Sequence, residues 1–234
     1  MKIDILTLFP SMFKGPFGES IVKRAGNKGL VEIKIHNLRK WAVDKRGTVD
    51  DRPYGGGTGM ILMIEPIYHA LRELKVKNLK LKTKVILLDP RGKVFNQRLA
   101  QYLSKEQHLI FICGHYEGVD ERVREHLVDE VISIGDYILT GGELPAMVIT
   151  DAVVRLLPGV LEKTEATQFE SFSGLKIGKL KIGNLLEYPQ YTRPENFKGW
   201  RVPKILLSGD HQKIAQWRKE KAEELTKKLR PDLI

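Results

Sequence analysis

Short apolar runs alternate with stretches of helical period through the first two thirds of this 234-residue chain. That alternation constrains the fold more than any other feature. Residues 3–8, 31–35, 85–88, 109–113 and 129–133 read as strands, being short, apolar and rich in β-branched side chains. Between them, residues 19–28, 65–75, 96–104 and 120–127 read as helices, and Asn96 and Asp120 are suited to cap two of these. Strands separated by helices pair in parallel, and a parallel sheet hides both faces under helices. The expected fold class is therefore α/β. A longer apolar helix is expected from Glu143 to Leu156, ended by Pro158-Gly159.

Beyond Gly159 the pattern changes. Residues 162–168 are polar and without clear period, which marks a linker, and residues 176–183 form a near-repeat of the kind a small hairpin makes. The tail from Asp210 is helical, with Ile214, Trp217, Leu225 and Leu229 as its apolar contacts. The chain divides accordingly into a domain at 1–160, a linker at 161–175 and a small basic domain at 176–234. No run of about 18 apolar residues exists to cross a membrane. The opening Met1-Lys2-Ile3-Asp4-Ile5 lacks the continuous apolar stretch of a signal peptide. Cys113 is the only cysteine, which excludes an internal disulfide framework, so a reducing cytoplasm is the expected location.

Lys and Arg outnumber acids 39 to 29, a net charge of +10 that suits a polyanionic partner and equally a merely soluble basic protein. Distribution favours the first. Lys176, Lys179, Lys181, Arg193, Lys198, Arg201 and Lys204 stand against Glu187 and Glu195, with Tyr188, Tyr191, Phe197 and Trp200 among them. Cations neutralise phosphates and rings stack on unpaired bases, so this is the combination RNA binding needs. Some of these rings can equally be core.

Ligands of open parallel sheets collect at the carboxyl ends of strands. Three consecutive strands here run into unusual loops: Asp89-Pro90-Arg91-Gly92, Gly114-His115-Tyr116-Glu117-Gly118, and residues 134–145 with Gly135, Gly141 and Gly142. Glycines let bare backbone N–H and C=O groups face a ligand, and three such loops at one edge point to a pocket. Familiar patterns do not fit it. There is no G-x-G-x-x-G after the first strand, no P-loop lysine, no zinc-ligand spacing and no nucleophile elbow. His115, alone in its loop, reads as structural. What remains is a cofactor held by backbone and apolar contacts. A fourth glycine cluster, Gly55-Gly56-Gly57-Thr58-Gly59 after Asp50-Asp51-Arg52-Pro53-Tyr54, is either a flexible loop or a surface for close approach.

Together these blocks resemble one family. The residues that carry the likeness are those from Asp50 to Met60, from Gly114 to Arg122, from Ile134 to Met147, from Asp151 to Leu161, Tyr191-Thr192-Arg193-Pro194, and Leu206 to His211. They are similar, in order and nearly end to end, to the bacterial tRNA (guanine-N1-)-methyltransferases, the TrmD family of the SPOUT class. The resemblance implies a homodimer whose N-terminal domain holds a deep trefoil knot and binds S-adenosyl-L-methionine, with the active site at the subunit interface. It also implies methyl transfer to N1 of guanosine 37 of tRNA. By resemblance Leu88, Pro90, Gly92, Gly114, Tyr116, Glu117, Ile134, Gly135, Tyr137, Leu139, Gly141, Gly142 and Pro145 line the cofactor pocket. Asp50, Gly55, Gly56, Gly57, Ser171 and Arg193 are the implied tRNA contacts. Mg²⁺ is a further implied ion, to which Asp50 and Glu117 are candidates, although no ligand cluster is visible and no metal ligand is assigned.

Guanine N1 is a poor nucleophile until its proton leaves, so a carboxylate near N1 and a cation near O6 are what the chemistry requires. The family places an aspartate before Ser-Phe; this chain has Glu170-Ser171-Phe172, a carboxylate one methylene longer. Arg155 matches the family arginine that faces O6, and an ion pair with Asp151 one turn earlier is its local alternative. Asp89 stands where the family has serine, and residues 176–184 look inserted.

Overall fold

The computed structural model describes residues 1–162, 167, 170–173 and 185–234, together with the backbone of 176–177 and 180–181. It divides into two compact units, Met1–Glu162 and Lys163–Ile234. Parts of the expected linker (163–166, 168–169, 174–175), the residues Lys179 and Asn184, and the side chains of Lys176 and Lys181 lie outside the described residues.

The first unit runs β1 Lys2–Thr7, α1 Ser20–Asn27, β2 Glu32–Asn37, α2 Ile64–Lys77, β3 Thr83–Val94, α3 Gln97–Leu103, β4 His108–Cys113, α4 Glu121–His126, β5 Glu130–Ser133 and α5 Glu143–Val154. The five strands form one parallel sheet in the order β2-β1-β4-β3-β5. Side chains alternate across the strands, and those of β1, β3 and β4 bury on both faces, whereas the edge strand β2 has none fully buried. Ile3, Ile5, Ile86, Leu88, Leu109 and Phe111 pack with α1, α3 and α5 residues such as Val22, Leu103 and Ile149. Leu6, Val85, Leu87, Ile110 and Ile112 pack on the other side with Ile67, Leu71 and Leu74 of α2 and Val123 of α4. The caps act as expected: the Asn96 side chain accepts from the Leu99 amide at 3.0 Å and that of Asp120 from Arg122 at 2.9 Å.

One strand differs from expectation. The sequence suggests that β3 stops at Leu88 and a loop follows, whereas the strand continues to Val94 with its register shifted between Leu88 and Lys93, both of which face Ile132. Residues 89–92 are therefore an extended bulge within the strand. Pro90 has no N–H to give a ladder, and a bulge is where a strand tolerates that.

A buried acid crosses the sheet that composition alone did not reveal. Asp4 on β1 has no exposed surface, and accepts from His36 Nε2 on β2 at 2.6 Å and from His108 Nε2 on β4 at 2.7 Å. His108 Nδ1 in turn meets Thr83 Oγ1 on β3 at 2.8 Å. Burial pushes the Asp4 carboxyl up. The hydrogen bonds from His108 and His36 and the Lys2 ammonium more than reverse this, and hold it well below the usual carboxylate range.

In the second unit, α6 spans His211–Leu229 and the Asp210 side chain caps it, accepting from the Lys213 amide at 3.1 Å. Ser171 Oγ accepts from the Glu187 amide at 2.9 Å, and Thr226 Oγ1 accepts from that of Leu186 at 2.9 Å. These bonds tie residues 171 and 185–187 to one another and to α6. Residues Lys176–Ile177 pair with Leu180–Lys181 as a small antiparallel ribbon.

Candidate active site

A cleft of about 660 Å³ opens where β3, β4 and β5 end. Its walls are the three loops singled out in the sequence. Leu88, Pro90, Gly114, Tyr116, Glu117, Ile134, Gly135, Tyr137, Leu139, Gly141, Gly142 and Pro145 all line it. Gly92 does not. A Cβ there would sit 2.5 Å from the Ile132 amide nitrogen, so this glycine serves the close approach of β3 to β5 beneath the cleft. Asp89, Arg91 and Thr140 of the same loops also face it, and so do Glu121 and Ser133, which the sequence did not single out for the pocket.

The loops are fastened to one another through backbone groups. The Gly142 amide donates to the Gly114 carbonyl at 2.8 Å, and His115 bridges Gly141 as an isolated antiparallel pair. A Cβ on Gly142 would stand 2.6 Å from Cys113 Cα and 2.9 Å from the Gly114 nitrogen. Backbone atoms cannot swing aside as a flexible side chain can. Gly142→Ala is therefore expected to lower stability by about 1–3 kcal/mol and to weaken ligand binding in the cleft. Urea unfolding and a cofactor titration check both effects, and an unchanged midpoint would mean that β4 and α5 move apart freely. Tyr116 itself holds a left-handed conformation with φ 59°, an uncommon state for a non-glycine residue and one that clusters at functional sites.

The fourth glycine cluster belongs to the same place. Asp50–Asp51 pairs with Ile61–Leu62, and between them Gly55, Gly56, Gly57 and Gly59 all take positive φ while Tyr54 is fully exposed. The Glu117 amide donates to the Met60 carbonyl at 3.0 Å and the Leu62 amide to that of Gly118 at 3.0 Å. A Cβ on Gly59 would meet Glu117 Oε1 at 2.7 Å, so the loop backbone lies directly against a side chain that lines the cleft.

Acids dominate the rim. Asp89 grips Arg91 through both oxygens, at 2.9 and 3.0 Å, and Arg91 reaches Glu121 at 3.0 Å. Burial raises the Asp89 carboxyl and the Arg91 guanidinium lowers it further, so it is held below its ordinary value. Glu117 and Glu121 add negative charge at the rim, which suits a cationic ligand. The volume is that of a small-molecule site, and glycine backbone supplies donors and acceptors at close range. The residues present thus fit a compact cationic cofactor. Among the described residues no group of three or more His, Cys, Asp and Glu can hold a metal ion.

One assigned residue of this unit, Arg155, stands apart from the cleft. Arg155 follows the last turn of α5, whose first turn forms the cleft, and it is not among the cleft's lining residues. The twelve residue steps from Glu143 to Arg155 span about 18 Å at 1.5 Å each. Glu170, half-buried, and Ser171 and Arg193 belong to the second unit, described by itself. There the aromatic residues Tyr191, Phe197 and Trp200 are 50%, 51% and 74% exposed, so none of the three is core. Lys198 lies over the Phe197 ring at 5.5 Å and Arg218 over that of Tyr188 at 4.9 Å.

The whole chain, residues 1–234, matches the family model described as tRNA (Guanine-1)-methyltransferase TrmD. Among curated relatives it is 56% identical over all 234 residues to the tRNA (guanine-N(1)-)-methyltransferase of Dictyoglomus turgidum, covering 90% of that protein. It is 54% identical to the enzyme of the same name from Citrifermentans bemidjiense, covering 90%, and 52% to that of Staphylococcus carnosus, covering 91%. A match at this level over the full length leaves no room for a different ancestry, and the chain belongs to the tRNA (guanine-1)-methyltransferase TrmD family.

Proposed function

We propose that this chain transfers the methyl group of S-adenosyl-L-methionine to N1 of guanosine 37 in tRNA. Family membership across residues 1–234 supports the reaction. The single observation that carries the cofactor reading is the cleft at the ends of β3, β4 and β5, lined by glycine backbone and rimmed by acids. When bound, the cofactor supplies a methyl group on a positively charged sulfur. Backbone groups of Gly114, Gly135, Gly141 and Gly142 hold it, and Leu88, Ile134, Leu139 and Pro145 exclude water around it. Glu170 takes the proton from guanine N1, and Arg155 stabilises the negative charge that develops on O6. Asp50, the Gly55–Gly57 loop, Ser171, Arg193 and the exposed rings of the second unit are the tRNA contacts in this reading. Mg²⁺ finds no ligand cluster among the described residues, and no step is derived through it.

The same reading includes a trefoil knot in a domain at 1–160, a linker at 161–175, a basic RNA-binding domain at 176–234, and a cytoplasmic homodimer. No described helix is long and apolar enough to cross a membrane. Two observations support the dimer. Arg155 lies about 18 Å along α5 from the turn that forms its own cleft. Leu144, Val148, Asp151 and Arg155 share one face of that helix by their spacing, and Leu144 and Val148 are each 48% exposed. A second copy covering this stripe brings its Arg155 to the first copy's cleft.

The reaction is tested with labelled S-adenosylmethionine and two tRNA transcripts differing only in G37 or A37. Label on the G37 transcript alone is expected, and equal label on both moves the target elsewhere. The shared site is tested by mixing Arg155→Ala with Gly142→Val, each inactive alone. Random reassortment makes half the dimers mixed, each with one intact site in two, so about one quarter of wild-type activity should return. No recovery would assign Arg155 to its own chain's cleft.

A further inference from the structure

Beneath the cleft lies a carboxylate to which neither the reaction nor the cofactor contacts assign a role. Glu143, the first residue of α5, is 2% exposed. Its Oε1 accepts from Thr7 Oγ1 at 2.7 Å, and Thr7 Oγ1 accepts in turn from the Phe9 amide at 2.8 Å. This links the end of β1 to the start of α5 across 136 residues of sequence. Among the described residues no cation pairs with Glu143. Its other oxygen and His115 Nδ1 both crowd Gly141, each lying within 2.7 Å of the point a Gly141 Cβ would occupy. That His115 nitrogen is buried and has no hydrogen-bond partner among the described residues, and the ring contacts Phe9 and Tyr116, each with its centroid 4.8 Å away.

Burying a carboxylate with so few partners is costly, and an apolar residue would fill the same space without that cost. Under-satisfied polar groups in a native fold call for a specific explanation. Here both converge on one glycine whose backbone faces the cleft, with the positive end of α5 beside the carboxylate. The arrangement is that of a support held beneath a binding site.

We propose that Glu143 is a positioning residue for the cofactor: tied to Thr7 and crowding Gly141 together with His115, its carboxylate fixes the backbone groups that the Gly141-Gly142 turn presents to the ligand. Thr7 orients Glu143, and His115 fills the space beside it over the glycine. The inference rests on the reading of the cleft as an S-adenosylmethionine site and deepens it.

Calorimetric titration of S-adenosylmethionine into the full chain tests it, using wild type, Thr7→Val, Thr7→Ser, Glu143→Gln and the double variant Thr7→Val/Glu143→Gln. Thr7→Val keeps the shape and removes only the hydroxyl, so it stays informative where Glu143→Gln fails to fold. Thr7→Val and Glu143→Gln should each weaken binding about tenfold, as the loss of a hydrogen bond to a charged group does, while Thr7→Ser stays within about twofold. The double variant should be no weaker than either single one, because both act on one charge-assisted bond: Thr7→Val removes its donor, and Glu143→Gln removes its charge while keeping an acceptor oxygen. General loosening of the fold would instead add the two losses, and Thr7→Ser would share them; that pattern overturns the proposal. Wild-type affinity in Thr7→Val and Glu143→Gln overturns it too and leaves the cofactor reading intact. Wild type that binds no S-adenosylmethionine removes the cofactor reading, and this inference with it.

Discussion

Glu170→Gln should reduce single-turnover methyl transfer to a G37 transcript by about 10²-fold or more while leaving S-adenosylmethionine affinity within about twofold. The carboxamide has nearly the shape of the carboxylate but cannot take up a proton. Guanine N1 must lose its proton before it can attack, so the deficit falls on the chemical step. Glu170 belongs to the Lys163–Ile234 unit, whereas the cleft is built by loops of Met1–Glu162, so the proposed base and the proposed cofactor contacts are different residues and their effects can be measured separately. The neighbouring backbone is tied down: the Ser173 amide donates to the Glu170 carbonyl at 3.2 Å, and the Phe172 amide to that of Leu185 at 3.1 Å. Glu170→Asp keeps the carboxylate, in the form the family pattern carries, and should retain most of the rate. Near-normal turnover in Glu170→Gln would require another base. An equal loss in Glu170→Asp would mean that shape, and not proton transfer, is what the position supplies.

Asp4→Ala should destabilise the first unit by about 3–5 kcal/mol, the range found when one partner of a buried charged network is removed. The substitution strands the Nε2 donors of His36 and His108, 2.6 and 2.7 Å from the lost oxygens, and His108 is wholly buried. The pH dependence has a definite sign. The folded carboxyl is held below its ordinary value, so its contribution is complete above about pH 4, where the unfolded carboxyl is also ionised. On acidification below that, the unfolded chain takes up a proton that the folded one refuses, and the advantage of wild type over Asp4→Ala shrinks. Urea unfolding of both proteins at neutral pH and near pH 3 measures the two differences. A difference under about 1 kcal/mol at neutral pH would show that the histidines find other partners.

Much of the molecule was legible because its signals are local. Strand and helix positions follow from periodicity, and the caps at Asn96, Asp120 and Asp210 from side-chain chemistry that acts within three residues. The cleft was legible for a related reason. Parallel topology sends consecutive strand ends to one edge, so the loops after β3, β4 and β5 had to meet. What escaped were features that depend on which atoms approach through space. β3 runs on through Pro90 because β5 offers Ile132 to two of its residues. Gly92 is packed between strands and does not line the cleft for the same reason.

The sequence by itself determined the α/β class, the strand-end site and the family, since each is written in short-range pattern or in blocks of residues kept in order. Only the tertiary structure decided that Asp4, His36, His108 and Thr83 form one polar chain across four strands. It likewise decided that Thr7 and Glu143 meet beneath Gly141. An isolated acid in a strand or at a helix start looks the same in sequence whether it faces water or the core. Its partners lie as many as 136 residues away, and the sheet order that joins them carries no local signature.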